Sequence, residues 1–129
     1  MDKVVHFEIP SDNLDRAEKF YVDVFEWKVN RIPMGDEMYL MVNTVGVDEK
    51  NMPVEKGAIN GGIMKRSKKG ETSMIVINVA SIDSYLEKVK AAGGRVVKEK
   101  AEVMDMGFYA RIADTEGNGV GLWEDVKKP

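Results

Sequence analysis

The chain has no cysteine, one histidine and only 4 prolines in 129 residues. Without thiols there is no disulfide framework, no thiolate nucleophile and no thiolate-ligated metal. His6 is the only imidazole available for acid–base work near neutral pH. Long apolar runs are also missing, and the longest fall far short of the ~20 residues that a membrane-spanning helix needs. There is no basic block either: 19 Lys and Arg stand against 22 Asp and Glu, a net charge of -3. A nucleic-acid backbone, which is gripped by clustered cations, is therefore not an expected partner. The opening Met1-Asp2-Lys3-Val4-Val5-His6-Phe7 lacks the apolar core of a signal peptide, so the expected location is cytoplasmic. The length suits one compact domain over residues 1–129.

What is present is patterned. Lys3 to Ile9 alternates as a strand, with Val5, Phe7 and Ile9 on one face and Val4, His6 and Glu8 on the other. Ser11-Asp12-Asn13 supplies N-cap chemistry for a helix whose Leu14, Ala17, Phe20, Tyr21, Val24 and Phe25 recur at helical spacing. Strands are expected at Trp27 to Arg31, Met38 to Val45 and about Ala58 to Lys65, with a turn through Pro33-Met34-Gly35-Asp36. The order then repeats. Met74 to Val79 reads as a strand, Ser81 caps a helix ended by Gly93-Gly94, and Arg95 to Lys98, Gly107 to Ala113 and Gly119 to Glu124 read as three more strands. The fold class is therefore α+β, two tandem βαβββ modules over about 1–66 and 70–126.

An arithmetic check supports the repeat. Leu14-Asp15 recurs as Ile82-Asp83 at an offset of 68, which also pairs Val24 with Ala92 and Val29 with Val97. Gly62-Ile63-Met64 matches Gly121-Leu122-Trp123 at an offset of 59, with the shortfall taken up in loops.

Three pieces carry a resemblance: His6-Phe7-Glu8-Ile9-Pro10 on the first strand, Ala17-Glu18-Lys19-Phe20-Tyr21 on the helix, and the closing Asp114 to Trp123. Together with the doubled βαβββ order, they make nearly the whole chain resemble the vicinal oxygen chelate superfamily of glyoxalases, bleomycin resistance proteins and extradiol dioxygenases. The resemblance implies that each module curls its sheet into a half-cup with its helix outside, and that a shared concavity holds a divalent metal and a small substrate. A homodimer is expected, and the modules either pair within one chain or are exchanged across the dimer. Family members with a complete site use one ligand on the first and last strand of each module. Carried over by position, those places fall on His6, Met74, Gly62 and Gly121. Only His6 can bind a divalent ion there, so no metal and no other cofactor is expected. Glu124 does not rescue the site, because strand alternation turns it away from the face that Gly121 and Trp123 share.

The remaining candidates follow from the same alternation. His6 and Glu8 are the acid–base candidates. Asn60, Gly62, Met64, Met74, Asn78, Tyr109, Arg111 and Trp123 are the ligand-binding candidates. Arg111 suits a carboxylate or phosphate through its planar fork, although a solvated place at the rim is the plainer expectation. Gly61-Gly62 lets a ligand or backbone come close to the sheet. Of 9 methionines, Met64 and Met74 are expected to line the cavity as adaptable apolar surface, and the loop methionines to fill gaps in the core. Trp27 and Trp123 could stack on a planar ligand. The charge runs Lys65 to Lys69 and Lys98 to Lys100 are expected to be solvated. The sequence thus points to a small-molecule binder resembling the glyoxalase and bleomycin-resistance branch, without a complete catalytic metal site. The alternative is a metal-dependent lyase or isomerase, similar to lactoylglutathione lyase, acting next to a carbonyl.

Overall fold

The computed structural model describes residues 1–127. In chain order the elements are β1 Val4–Ser11, α1 Leu14–Phe25, β2 Lys28–Met34, β3 Glu37–Asn43, β4 Asn60–Lys65, β5 Met74–Asn78, α2 Ile82–Ala91, β6 Arg95–Val103, β7 Gly107–Ala113 and β8 Gly119–Asp125. The chain divides into two compact units, one over His6–Ser73 and the other joining Met1–Val5 to the chain from Met74 onward. Each carries one βαβββ module.

In the first module the strand order is β2-β3-β4-β1. β1 runs parallel to β4, with His6 beside Asn60 and Glu8 beside Gly62. β3 is antiparallel to both β4 and β2. Alternation sends Phe7 and Ile9 of β1 into a core around Leu40, Val42 and Ile63, against Leu14, Ala17 and Tyr21 of α1. His6, Glu8, Tyr39 and Gly62 are left on the opposite face. Asn13 caps α1, its side chain accepting from the Arg16 N–H at 3.0 Å. Glu26 ends the helix in the left-handed conformation, φ 59, its N–H donating to the Val22 carbonyl.

The second module repeats this order as β5-β8-β7-β6. Val76 of β5 lies beside Gly121 of β8, as Glu8 lies beside Gly62. Ser81, 68 residues after Asn13, caps α2 by accepting from the Ser84 N–H at 3.2 Å. Ile82 and Leu86 pack from α2 onto Ala110 and Leu122, with Phe108 and Ile112 around them. Gly93 closes this helix at φ 95, which costs glycine little. The tandem βαβββ reading and the offset of 68 both hold.

The boundaries depart from the sequence pattern in three places. β2 runs on to Met34, so Pro33 lies in a strand and not in the turn; it pairs on one side only, with Met38, where a missing N–H is tolerated. β3 ends at Asn43 and β4 begins at Asn60, each about two residues inside the expected span. β6 extends to Val103, five residues beyond Lys98, with register shifts between Val96 and Lys98 and between Lys98 and Ala101. Such bulges break the alternation by which a strand is recognised. The loop methionines need a further correction, because Met52, Met104 and Met106 are 53%, 56% and 48% exposed and fill no core.

Candidate functional site

In the first module, ladder register sets the candidates side by side. His6 and Asn60 are neighbours across β1 and β4, as are Glu8 and Gly62. Across β3 and β4, Met41 stands beside Gly62 and Tyr39 beside Met64. The structure therefore brings together five sequence candidates, His6, Glu8, Asn60, Gly62 and Met64, on one face and adds Tyr39. The Tyr39 hydroxyl is 3.0 Å from His6 Nε2. Its ring lies over Gly62 so closely that a Cβ there would overlap the hydroxyl and Cζ. A glycine at this position is what lets the phenol reach the imidazole. Burial holds the His6 pKa down at about 4, so the ring is neutral at pH 7 and can accept from or donate to Tyr39 according to its tautomer.

Glu8 is buried at 6% exposure, and Asn60 is buried too. The Asn60 side chain is oriented by Thr44, whose N–H donates to Oδ1 at 2.7 Å. That bond assigns the oxygen and leaves the buried Nδ2 without a hydrogen-bond partner.

The second module repeats the tyrosine and the glycine. Tyr109 stands beside Trp123, and Arg111 beside Gly121, as Tyr39 and Met41 stand beside Met64 and Gly62. A Cβ on Gly121 would lie 2.9 Å from both Cε1 and the hydroxyl of Tyr109. Arg111 is half-buried, with Nε donating to the Tyr109 hydroxyl at 3.1 Å, so the fully solvated rim place does not describe it. Met74, in the place of His6, is buried at 7% exposure. Asn78 lies at the end of β5, its amide donating to the Trp123 carbonyl and to Asp125. The Trp123 indole N–H donates to Asp125 at 2.9 Å, while its ring fills the space beside Gly107.

Two expectations are settled by contacts inside a module. Glu124 points to the helix side, accepting from the Ile82 N–H at 2.7 Å, so it acts at the start of α2. Trp27 stacks on Tyr21 at a centroid distance of 4.8 Å and 7° and belongs to the first core, not to a ligand platform. Arg66 to Gly70 border an open surface hollow of about 400 Å³ with Asp12, and neither His6 nor Glu8 lines it. Arg66 there is tied to Asp12 at 2.9 Å.

Tyr39 was not among the sequence candidates, although its counterpart Tyr109 was. The signal was available: β3 and β7 are related by an offset of 70, visible once β4 and β8 are aligned at 59.

A family model, the Glyoxalase/Bleomycin resistance protein/Dioxygenase superfamily, matches residues 3–122. The chain belongs to this superfamily. No curated protein matches it. Among solved structures, a hypothetical protein BH1468 from Bacillus halodurans C-125 is similar at TM-score 0.69 and 16% identity, covering 99% of this chain and 97% of that one. Methylmalonyl-CoA epimerase from Mycobacterium tuberculosis is similar at TM-score 0.66 and 15% identity, covering 96% and 88%. A Streptomyces coelicolor methylmalonyl-CoA epimerase in complex with 2-nitronate-propionyl-CoA is similar at TM-score 0.68 and 16% identity, covering 98% of each chain. At these identities the likeness is one of fold. This superfamily member shares the doubled module with proteins that hold small organic ligands. Among the described residues, no helix is long and apolar enough to cross a membrane.

Proposed function

We propose that this superfamily member binds a small organic molecule without a resident metal ion. The observation that carries the reading is the tyrosine over a glycine in each module. The positions that the resemblance assigns to metal ligands are His6, Gly62, Met74 and Gly121. Side chains growing from Gly62 and Gly121 would meet Tyr39 and Tyr109. One imidazole and one thioether do not make a site for zinc, nickel, iron or magnesium, which draw on several imidazoles or carboxylates. Among the described residues, no three His, Cys, Asp or Glu side chains converge as a metal site. The donor set therefore does not fit the family's divalent ion, and no step is routed through one.

The residues present support binding by polar anchors on an apolar floor. His6, Glu8, Asn60 and Met64 supply this in the first module, with Tyr39 added; Met74, Asn78, Tyr109, Arg111 and Trp123 supply it in the second. The neutral His6 and the buried Glu8 are the groups suited to proton transfer, should the bound molecule react.

Elemental analysis of protein purified without added metal is expected to find no stoichiometric divalent ion. A tightly held ion would overturn the reading in favour of the metal-dependent lyase or isomerase. The same preparation, screened by thermal shift against acyl-CoA thioesters and planar aromatic compounds, is expected to give at least one ligand that raises Tm. Binding to the folded state stabilises by mass action, by about 2.7 kcal/mol at a hundred times Kd.

A further inference from the structure

Two lysines of β6, Lys98 and Lys100, meet different surroundings in the second module. Lys100 has acids to answer it: its Nζ lies 3.1 Å from Asp83 of α2 and 3.9 Å from Glu124, on the helix side of the sheet. Among the described residues, Lys98 forms no ion pair. Its Nζ sits instead on the opposite face, 5.8 Å from the centroid of the Tyr109 ring.

A bulge in β6 produces the difference. Val96 stands beside Ile112 and packs with it on the core under α2. Regular alternation would then set Val97 opposite Arg111 and turn Lys98 toward the helix. The register shifts between Val96 and Lys98, so Lys98 takes the place opposite Arg111. A second shift puts Ala101, and not Lys100, opposite Tyr109 and leaves Lys100 on the helix side. Bulges beside binding sites re-aim side chains in this way.

The place that Lys98 gains is already cationic. Arg111 is half-buried on the same face, its Cζ 5.7 Å from the same Tyr109 centroid. Cross-strand partners have Cβ atoms roughly 4.5–5.5 Å apart, and like charges set opposite each other are unfavourable. Arg95, beside Ala113, adds a third cation to this face. Among the described residues, the carboxylate that β8 places there, Asp125, lies at the other end of the strand beside Gly107 and accepts from Asn78 and the Trp123 indole. A chain of net charge -3 thus gathers cations where its own acids do not balance them.

We propose that Lys98 and Arg111 hold an oxyanion of the bound molecule, a carboxylate or a phosphate ester, beside Tyr109. This rests on the reading that the protein binds a small organic molecule, and adds the charge that the molecule carries. Arg111 has five donors in a planar fork, so it can serve an oxyanion while Nε donates to the Tyr109 hydroxyl. Lys98 supplies a point charge on a flexible stem. An anion between them offsets the repulsion that the ladder register imposes.

Phenyl phosphate, benzoate and benzyl alcohol, titrated into the isotope-labelled full chain at constant ionic strength and followed by NMR, separate charge from shape. At least one of the two anions is expected to give saturable shifts at the Lys98 and Arg111 amides and at Arg111 Nε–H, and the neutral alcohol none there. The tighter anion identifies the oxyanion as phosphate or carboxylate. Lys98→Gln is expected to weaken it by about tenfold, the scale of one charge-assisted hydrogen bond. Lys100→Gln makes the same charge change on the helix side and is expected to weaken it by less than about threefold. Equal losses in the two variants would mean diffuse attraction and overturn the proposal, as would benzyl alcohol binding at these residues as tightly as the anions. A probe that shifts the His6 and Gly62 amides but not Lys98 and Arg111 also overturns it, while the small-molecule reading stands. No saturable shift with any probe overturns it too, and the thermal-shift screen then decides that reading separately.

Discussion

His6 carries a cost that pH exposes. Its pKa falls from 6.5 to about 4 because burial disfavours the charged ring. Between those values the unfolded chain takes up a proton that the folded chain refuses, so this contribution is complete above pH 6.5 and is lost as pH falls toward 4. With each pKa unit worth about 1.36 kcal/mol and a discount for partial exposure, the loss is on the order of 2 kcal/mol. Denaturant titrations at pH 7 and pH 5 are expected to show the wild type losing more stability than His6→Gln, which lacks the titrating ring. Equal losses would mean that the imidazole is solvated in the folded state. Asp114 sits at the other extreme. Its exposed carboxyl accepts from Asn118 and Glu116 N–H groups, which hold its pKa below the usual range and fix the turn before β8.

Between strands, the unit that matters is the tyrosine of β3 or β7 lying over the glycine of β4 or β8. Gly62 does not need glycine for its backbone angles; it needs the absence of a Cβ, because Tyr39 occupies that space. Gly62→Ala is expected to cost about 1–3 kcal/mol, the usual range for overpacking a filled site. Gly121→Ala is expected to cost less, since its closest contacts, 2.9 Å to the edge of Tyr109, can be relieved by a small ring shift. Chemical denaturation of both variants, and of Gly62→Ala combined with Tyr39→Ala, measures this. The pair at 62 and 39 is expected to be non-additive, as contacting residues are.

The same level explains what the sequence revealed and what it hid. Alternation in β1, β3 and β4 is regular, so the faces of His6, Glu8, Asn60 and Gly62 were legible, and so was the failure of Glu124 to join them. The end of β6 was not, because bulges on either side of Lys98 interrupt the period. Tyr39 was missed for a different reason: its role depends on a contact across the ladder to a residue with no side chain, and a pattern of side chains along one strand does not record it.

For the whole molecule, the doubled module was the most legible property. Two independent offsets, 68 and 59, reappear as ladder register and N-cap positions. The loops between elements differ, as do the lengths of β1 and β5, of α1 and α2, and of β2 and the bulged β6. On the proposed metal-free reading, a chelator has nothing to remove from this chain. Dialysis against EDTA is expected to leave Tm unchanged in differential scanning calorimetry; a clear drop would show that a bound ion contributes to the folded state.

The tyrosine over Gly62 also constrains how this sequence can change. A carboxylate introduced at 62 alone would strike the phenol, while loss of the phenol alone would leave a hole beside His6 with nothing gained. Placing a ligand at 62 takes two substitutions made together, and the second module sets a milder form of that condition at Tyr109 and Gly121. The interlock couples the two positions: a side chain at 62 fits only when the residue at 39 gives up the space its phenol fills.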